Sequence, residues 1–177
     1  MHYFIHETSD VPQMVGTYNP TLVVFSLLVA ILASYTALDM AGRLATAKGR
    51  GLYGWMIGGA LAMGLGIWSM HFIAMLAFHL PIPVGYDLAL TLYSLAASVG
   101  ASAYALWLVS RQRLPWPRLL AGATLMGGGI AAMHYLGMAA MRMQPGIDYD
   151  PVWFSASILV AIGASGAELW IALRLRR

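Results

Sequence analysis

Apolar residues in this chain neither alternate nor form a one-sided helical stripe. They come in five long runs, approximately residues 20–40, 53–78, 89–109, 119–141 and 151–172. About 20 such residues carry a helix across the hydrocarbon of a bilayer. The strands of a membrane barrel would read instead as short alternating segments. The pattern therefore predicts an all-α membrane protein, a bundle of five transmembrane helices over residues 18–177. Residues 1–17 carry His2, His6, Glu7 and Asp10 and no apolar segment, so they read as an outer tail and not as a signal peptide.

The polar positions then orient the spans. Arg43, Lys48 and Arg50 lie between the first and second runs; Arg111, Arg113 and Arg118 lie between the third and fourth; Arg174, Arg176 and Arg177 follow the fifth. The other connections hold Glu7, Asp10, Asp87, Asp148 and Asp150, with Arg142 as their sole basic residue. Nine of ten Lys and Arg thus share one side, which the positive-inside bias makes cytoplasmic. The expectation is a periplasmic N-terminus and a cytoplasmic C-terminus. The net charge of +3 then reflects topology and anionic lipid, and calls for no nucleic acid. Asp39 and Glu168 sit near the basic ends of their spans, where interfacial water or a nearby Arg satisfies a carboxylate.

An internal repeat underlies the spans. Leu61–Phe78 aligns with Thr124–Met141 at an offset of 63, with eight of eighteen positions identical. These include Met63/Met126, Gly64/Gly127, Gly66/Gly129, Met70/Met133, His71/His134 and Met75/Met138. The match continues through Tyr86-Asp87/Tyr149-Asp150, Ser94/Ser157, Leu106-Trp107/Leu169-Trp170 and Arg111/Arg174. The first run joins at an offset of 68, with Tyr18-Asn19, Ser26, Ala33-Ser34, Leu38 and Arg43. The unit is a pair: an odd span entering, and an even span returning with Met-His. The units run parallel, and the third holds only its odd span. A sixth span is therefore expected in the full repeat.

Composition becomes informative at this point. The chain has no Cys, which excludes disulfides, thiolate metal sites and cysteine nucleophiles, yet it holds 12 Met and 5 His. Seven of those Met and two of those His fall in the duplicated even helix. At 100° per residue, Ala60, Gly64 and His71 share one face, as do Ala123, Gly127 and His134. Small residues spaced by four let membrane helices approach closely. The even helices are accordingly expected to touch each other there. Met75 and Met138 lie four residues beyond their histidines and are their neighbours on the helix surface; Met141 adds a further turn. Met70 and Met133 are rotated about 100° away.

One Met in a membrane helix is ordinary filler, and one His is often a hydrogen-bond partner across helices. Two copies in register, both with Met one turn on, point to a metal site built from His71 and His134 with Met75, Met138, Met141, Met70 and Met133 as thioether candidates. Imidazole plus thioether suits a soft ion, copper above all. Haem with two axial His is the rival, provided that Gly64, Gly66, Gly127, Gly128 and Gly129 open a planar slot. Trp68 and Trp107 are expected to pack deep; Trp55, Trp116, Trp153 and Trp170 read as interfacial anchors.

The segments SYTALDMAGR (Ser34–Arg43), WSMHFIAMLAF (Trp68–Phe78), PVGYD (Pro83–Asp87) and AAMHYLGMAAM (Ala131–Met141) resemble the MHYT family of bacterial integral membrane sensor domains. The resemblance runs from Tyr18 to Arg177; Ile73 and Leu136 replace the motif's threonine, and the third motif is absent. It implies a sensory input domain in the bacterial inner membrane. It also implies copper held through the motif's Met and His, here Met70, His71, Met133 and His134, and sensing of oxygen, nitric oxide or carbon monoxide. The expected partners are the bilayer, the gas, and a cytoplasmic output domain that turns over cyclic di-GMP. A homodimer is left open. No enzyme activity is expected within this chain. The alternatives are a metal or proton transporter, disfavoured by the scarcity of interior charge, and a haem-binding electron carrier.

Overall fold

The computed structural model of the protein describes residues 16–111, 115–144 and 146–175. His2, His6 and most of the expected outer tail lie outside these residues. The apolar runs fold as five helices: α1 (Pro20–Thr46), α2 (Arg50–Ala77), α3 (Leu88–Val109), α4 (Trp116–Ala139) and α5 (Pro151–Leu175). All five are long and apolar enough to cross a membrane. Four two-residue strands, β1 (Thr17–Tyr18), β2 (Phe78–His79), β3 (Gly85–Tyr86) and β4 (Met141–Arg142), lie at one end of the bundle. That end is here called the strand end, and the opposite one the basic end.

The repeat explains how the odd helices start and the even ones stop. Asn19, Asp87 and Asp150 are repeat-equivalent, and each caps an odd helix. Asn19 Oδ1 accepts from the N–H of Thr21 and Leu22, Asp87 Oδ1 from Leu90, and Asp150 Oδ1 from Val152 and Trp153. Such caps satisfy donors that a helix N-terminus otherwise leaves without partners. The N–H of Asn19 donates to Ala77 at 2.8 Å, and that of Asp87 to Ala140 at 2.7 Å. β1 then pairs with β2, and β3 with β4, both antiparallel. Each ribbon ties the start of an odd helix to the end of an even one. It also ends α4 before the apolar run does: Met141 leaves the helix to pair with Tyr86.

The expectation that α2 and α4 pack along their small-residue faces is corrected. Each even helix lies instead between two odd ones. A Cβ on Gly66 would sit 2.8 Å from Ala33 Cβ of α1, and one on Gly64 would sit 2.6 Å from Val99 Cα of α3. One repeat later, Gly129 meets Ala101 of α3, and Gly127 meets Ile162 Cα of α5 at 2.5 Å. The Ser98 hydroxyl closes the approach of α3 to Gly64 by donating to the Gly64 carbonyl at 2.8 Å. Spacing by four marks a face that admits a backbone; it does not say which helix takes it. Helices adjacent in sequence and joined by short connections take it here. The packing leaves one side of the ring open. Val99 and Ile162 lie against glycines, while their equivalent on α1, Ile31, is 64% exposed.

The core sits toward the basic end, where Leu44, Ala60, Met63 and Leu106 form one cluster and Leu108, Leu119, Met126 and Leu169 belong to a second. The expected depths of two tryptophans divide. Trp68 is part-buried and donates to Ser94 Oγ at 2.9 Å. Trp107 lies at the basic end with the Arg111 guanidinium 4.5 Å from its ring centroid. Asp39 finds the partner expected of it, Arg43, at 2.7 Å.

Candidate metal centre

Although α2 and α4 are separated along most of their length, they meet near the strand end. His71 and His134 face each other there, with ring centroids 4.8 Å apart and planes inclined at 54°. The floor is Gly137, one turn beyond His134. A Cβ at Gly137 would sit 2.9 Å from His71 Nε2 and 3.6 Å from the Met75 sulfur. The absent side chain thus makes room for an imidazole nitrogen and a thioether at the same point. Met75 is buried. His71 Nε2 is buried as well and has no hydrogen-bond partner among the described residues. A buried nitrogen left unbonded costs about 1–3 kcal/mol, so this corner is chemically incomplete.

An aromatic side chain braces His134. His134 packs edge-on to Tyr135 at 4.9 Å, and Tyr135 in turn packs on Phe154 at 4.5 Å and shares a hydrogen bond of 2.5 Å with Ser157 Oγ. In the preceding unit Trp68 reaches the equivalent serine, Ser94, and stacks on Phe72 at 4.6 Å. The same serine is therefore engaged in both units by an aromatic donor placed one helical turn differently. The sequence repeat matches the serines, but the donors lie at non-equivalent positions and so escape an alignment.

The remaining sequence candidates divide. Met138 and Met141 line a cavity of about 930 Å³ at the strand end, together with Tyr135, Arg142 and Asp148. Met143, which sequence reasoning did not single out, lines it too; the spacing of three and then two residues from Met138 was the signal that could have found it. Met133 is buried and Met70 half-buried, and neither lines this cavity. Arg142 bonds Asp87 across the ribbon at 2.5 Å. That guanidinium, helped by the Leu90 N–H, holds the Asp87 carboxyl below the usual carboxylate range.

The donor set at Gly137 suits a soft metal ion: imidazole nitrogen and thioether sulfur converge, and no carboxylate is among them. Among the described residues no three His, Cys, Asp or Glu side chains gather as a metal cluster. Of the five glycines expected to open a slot for haem, Gly128 has nothing within 4 Å of where a Cβ would stand, and the other four are occupied. Gly64, Gly66, Gly127 and Gly129 are each filled by a neighbouring helix at 2.9 Å or less.

Five apolar helices built on a parallel two-helix repeat, with paired histidines near one end, define a multi-pass membrane protein. The chain belongs to the MHYT family, described as a bacterial signalling protein N-terminal repeat, whose model matches residues 1–54, 64–122 and 127–177. It is 68% identical over 163 residues to the bifunctional diguanylate cyclase/cyclic di-GMP phosphodiesterase MucR of Pseudomonas aeruginosa, covering 92% of this chain and 24% of that protein. It is 47% identical over 154 residues to the cyclic di-GMP phosphodiesterase NbdA of the same species, covering 86% of this chain and 19% of that protein. It is 43% identical over 155 residues to the signalling protein YkoW of Bacillus subtilis, covering 88% and 19%. The chain thus spans a quarter or less of the length of these relatives. No solved structure matches it.

Proposed function

We propose that this chain is a membrane-embedded sensory input module that binds copper between α2 and α4 and through it senses a diatomic gas. In this reading the strand end faces the periplasm, and the module controls a cytoplasmic output that makes or degrades cyclic di-GMP. The observation that carries the metal reading is the unbonded His71 Nε2 beside the Met75 sulfur over Gly137, with the His134 ring against it. His71, His134 and Met75 would hold the ion. When bound, copper offers a coordination position to oxygen, nitric oxide or carbon monoxide. The link to cyclic di-GMP rests on the two Pseudomonas relatives, whose cyclase and phosphodiesterase activities are stated of those proteins.

The chain's own part is to convert a change between two rings into helix movement. His71 and His134 lie on the helices whose glycines seat them against α1, α3 and α5. A change in the spacing of the rings therefore presses on odd helices that run to the basic end. A ligand shifts such an arrangement only by binding two packings with different affinity.

Metal analysis of the purified chain beside a His71→Ala/His134→Ala variant tests the reading. The expected result is copper in the wild type and its loss in the double variant. Equal copper in both overturns the metal site. Copper-dependent flux in liposomes would favour the transporter alternative.

A further inference from the structure

Three methionines close to the paired histidines belong to a separate constellation. Met138 lies in the last turn of α4, Met141 opens β4, and Met143 follows two residues later. Met141, Arg142 and Met143 all line the cavity that Met138 faces. The Arg142 guanidinium is held by Asp87. All three methionines line the cavity of about 930 Å³ at the strand end, and all three are only partly buried.

The trio is local to this unit. The repeat places Met75 at the Met138 position, but Phe78 and Leu80 at the other two. Fold requirements shared by the two units therefore do not account for it. Nor does simple core filling, since the group lines an open cavity at the end of the bundle. The charge balance tolerates a cation: the Arg142 guanidinium is paired with Asp87, and Asp148 also lines the wall. Three thioethers are poor ligands for calcium, magnesium or zinc, which take oxygen, imidazole or thiolate. Soft monovalent ions are the ones thioethers select.

We propose that Met138, Met141 and Met143 form a second, outer metal site, a three-thioether site for Cu(I) or its analogue Ag(I), one helical turn beyond the paired histidines. The site rests on the copper reading above only for the identity of its natural ion. It places a capture point at the mouth of the bundle, with Tyr135 and Met138 as the wall shared with the His134 turn. Binding here is ligand exchange alone. The ion arrives as Cu(I) and stays Cu(I), and no electron or proton moves.

The test is Ag(I) titration of the purified full chain, with Cu(I) measured in parallel by competition with a chromophoric chelator. The variants are Met138→Leu/Met141→Leu/Met143→Leu and, separately, His71→Ala/His134→Ala. Leu replaces Met at similar volume, so the fold should persist; Met143→Leu alone serves if the triple variant does not fold. Methyl-labelled methionine gives a second readout, in which three methyl resonances shift on adding Ag(I), each removed by its own Leu substitution. The wild type is expected to take up one equivalent more than the triple variant. Met143→Leu alone is expected to weaken that equivalent by about tenfold or more. If the triple variant keeps full stoichiometry and affinity, the outer site is overturned, whatever the histidine variant does. If the histidine variant loses nothing while the triple variant loses an equivalent, the outer site stands and the histidine reading falls.

Discussion

At the scale of single residues, the most informative position is a side chain that is missing. Gly137 makes room for His71 Nε2 and the Met75 sulfur at one point, and a methyl there would sit 2.9 Å from the nitrogen. Gly137→Ala should therefore fill the corner that a metal would occupy. Within a helix the exchange is favourable by about 1 kcal/mol of propensity, so the fold should survive. Metal affinity is expected to fall by about tenfold or more, while thermal unfolding in detergent stays close to wild type. Unchanged affinity would move the site away from this corner. The contrast with Met63 and Met126 is physical. They repeat in register just as the histidines do, yet both are almost fully buried in the core toward the basic end. Repetition alone marks positions that the fold requires. An unbonded buried nitrogen separates the chemical positions from the packing ones.

At the scale of helices, the glycines of α2 serve two purposes, and substitution should separate them. Gly64 lies against the Val99 backbone, whereas a methyl group placed on Gly58, nearly two turns away on the same helix, would have nothing within 4 Å. Gly64→Ala must push α3 away, and overpacking of this kind costs about 1–3 kcal/mol. Gly58→Ala should be neutral or stabilising. Denaturation in micelles distinguishes the two, and equal midpoints would refute the packing described for α2 and α3. Much of this level could be read from the chain. The five runs became five helices with small shifts at their ends; Tyr18 and Tyr86 became strand ends, and the matched Asn19, Asp87 and Asp150 became helix caps. The partner of the glycine faces could not be read, because a face that admits a backbone is compatible with any neighbouring helix. The division of the methionines was equally hidden. Met75 and Met138 are equivalent in sequence, but Met138 turns to a cavity formed by an extended segment that no helical wheel contains.

At the scale of the whole molecule, repeat symmetry and charge asymmetry combine. Ala37, Ala105 and Glu168 are repeat-equivalent and line one cavity of about 410 Å³ with Leu38, Leu106 and Leu169. The bundle is thus organised about a central axis, with its histidines toward one end and its cations at the other. Three of those cations occupy the same repeat position and lie over tryptophans: Arg43 over Trp55 at 4.7 Å, Arg111 over Trp107 at 4.5 Å and Arg174 over Trp170 at 5.0 Å. A guanidinium over an indole suits the boundary between headgroups and water, where both groups are favoured. Nine of the ten basic residues lie on this side in the sequence, and the positive-inside bias is what supports the proposal that it faces the cytoplasm. The absence of cysteine makes the orientation easy to test. Lys48→Cys and Gln144→Cys each introduce one thiol, at exposed positions on the basic and strand ends respectively. In intact bacteria a membrane-impermeant maleimide should label Gln144→Cys at once and Lys48→Cys only after the membrane is opened. The reverse pattern would expose the paired histidines and the methionine cavity to the cytoplasm. Metal would then be loaded from a reducing compartment, and the gas would be sensed on the same side as the output.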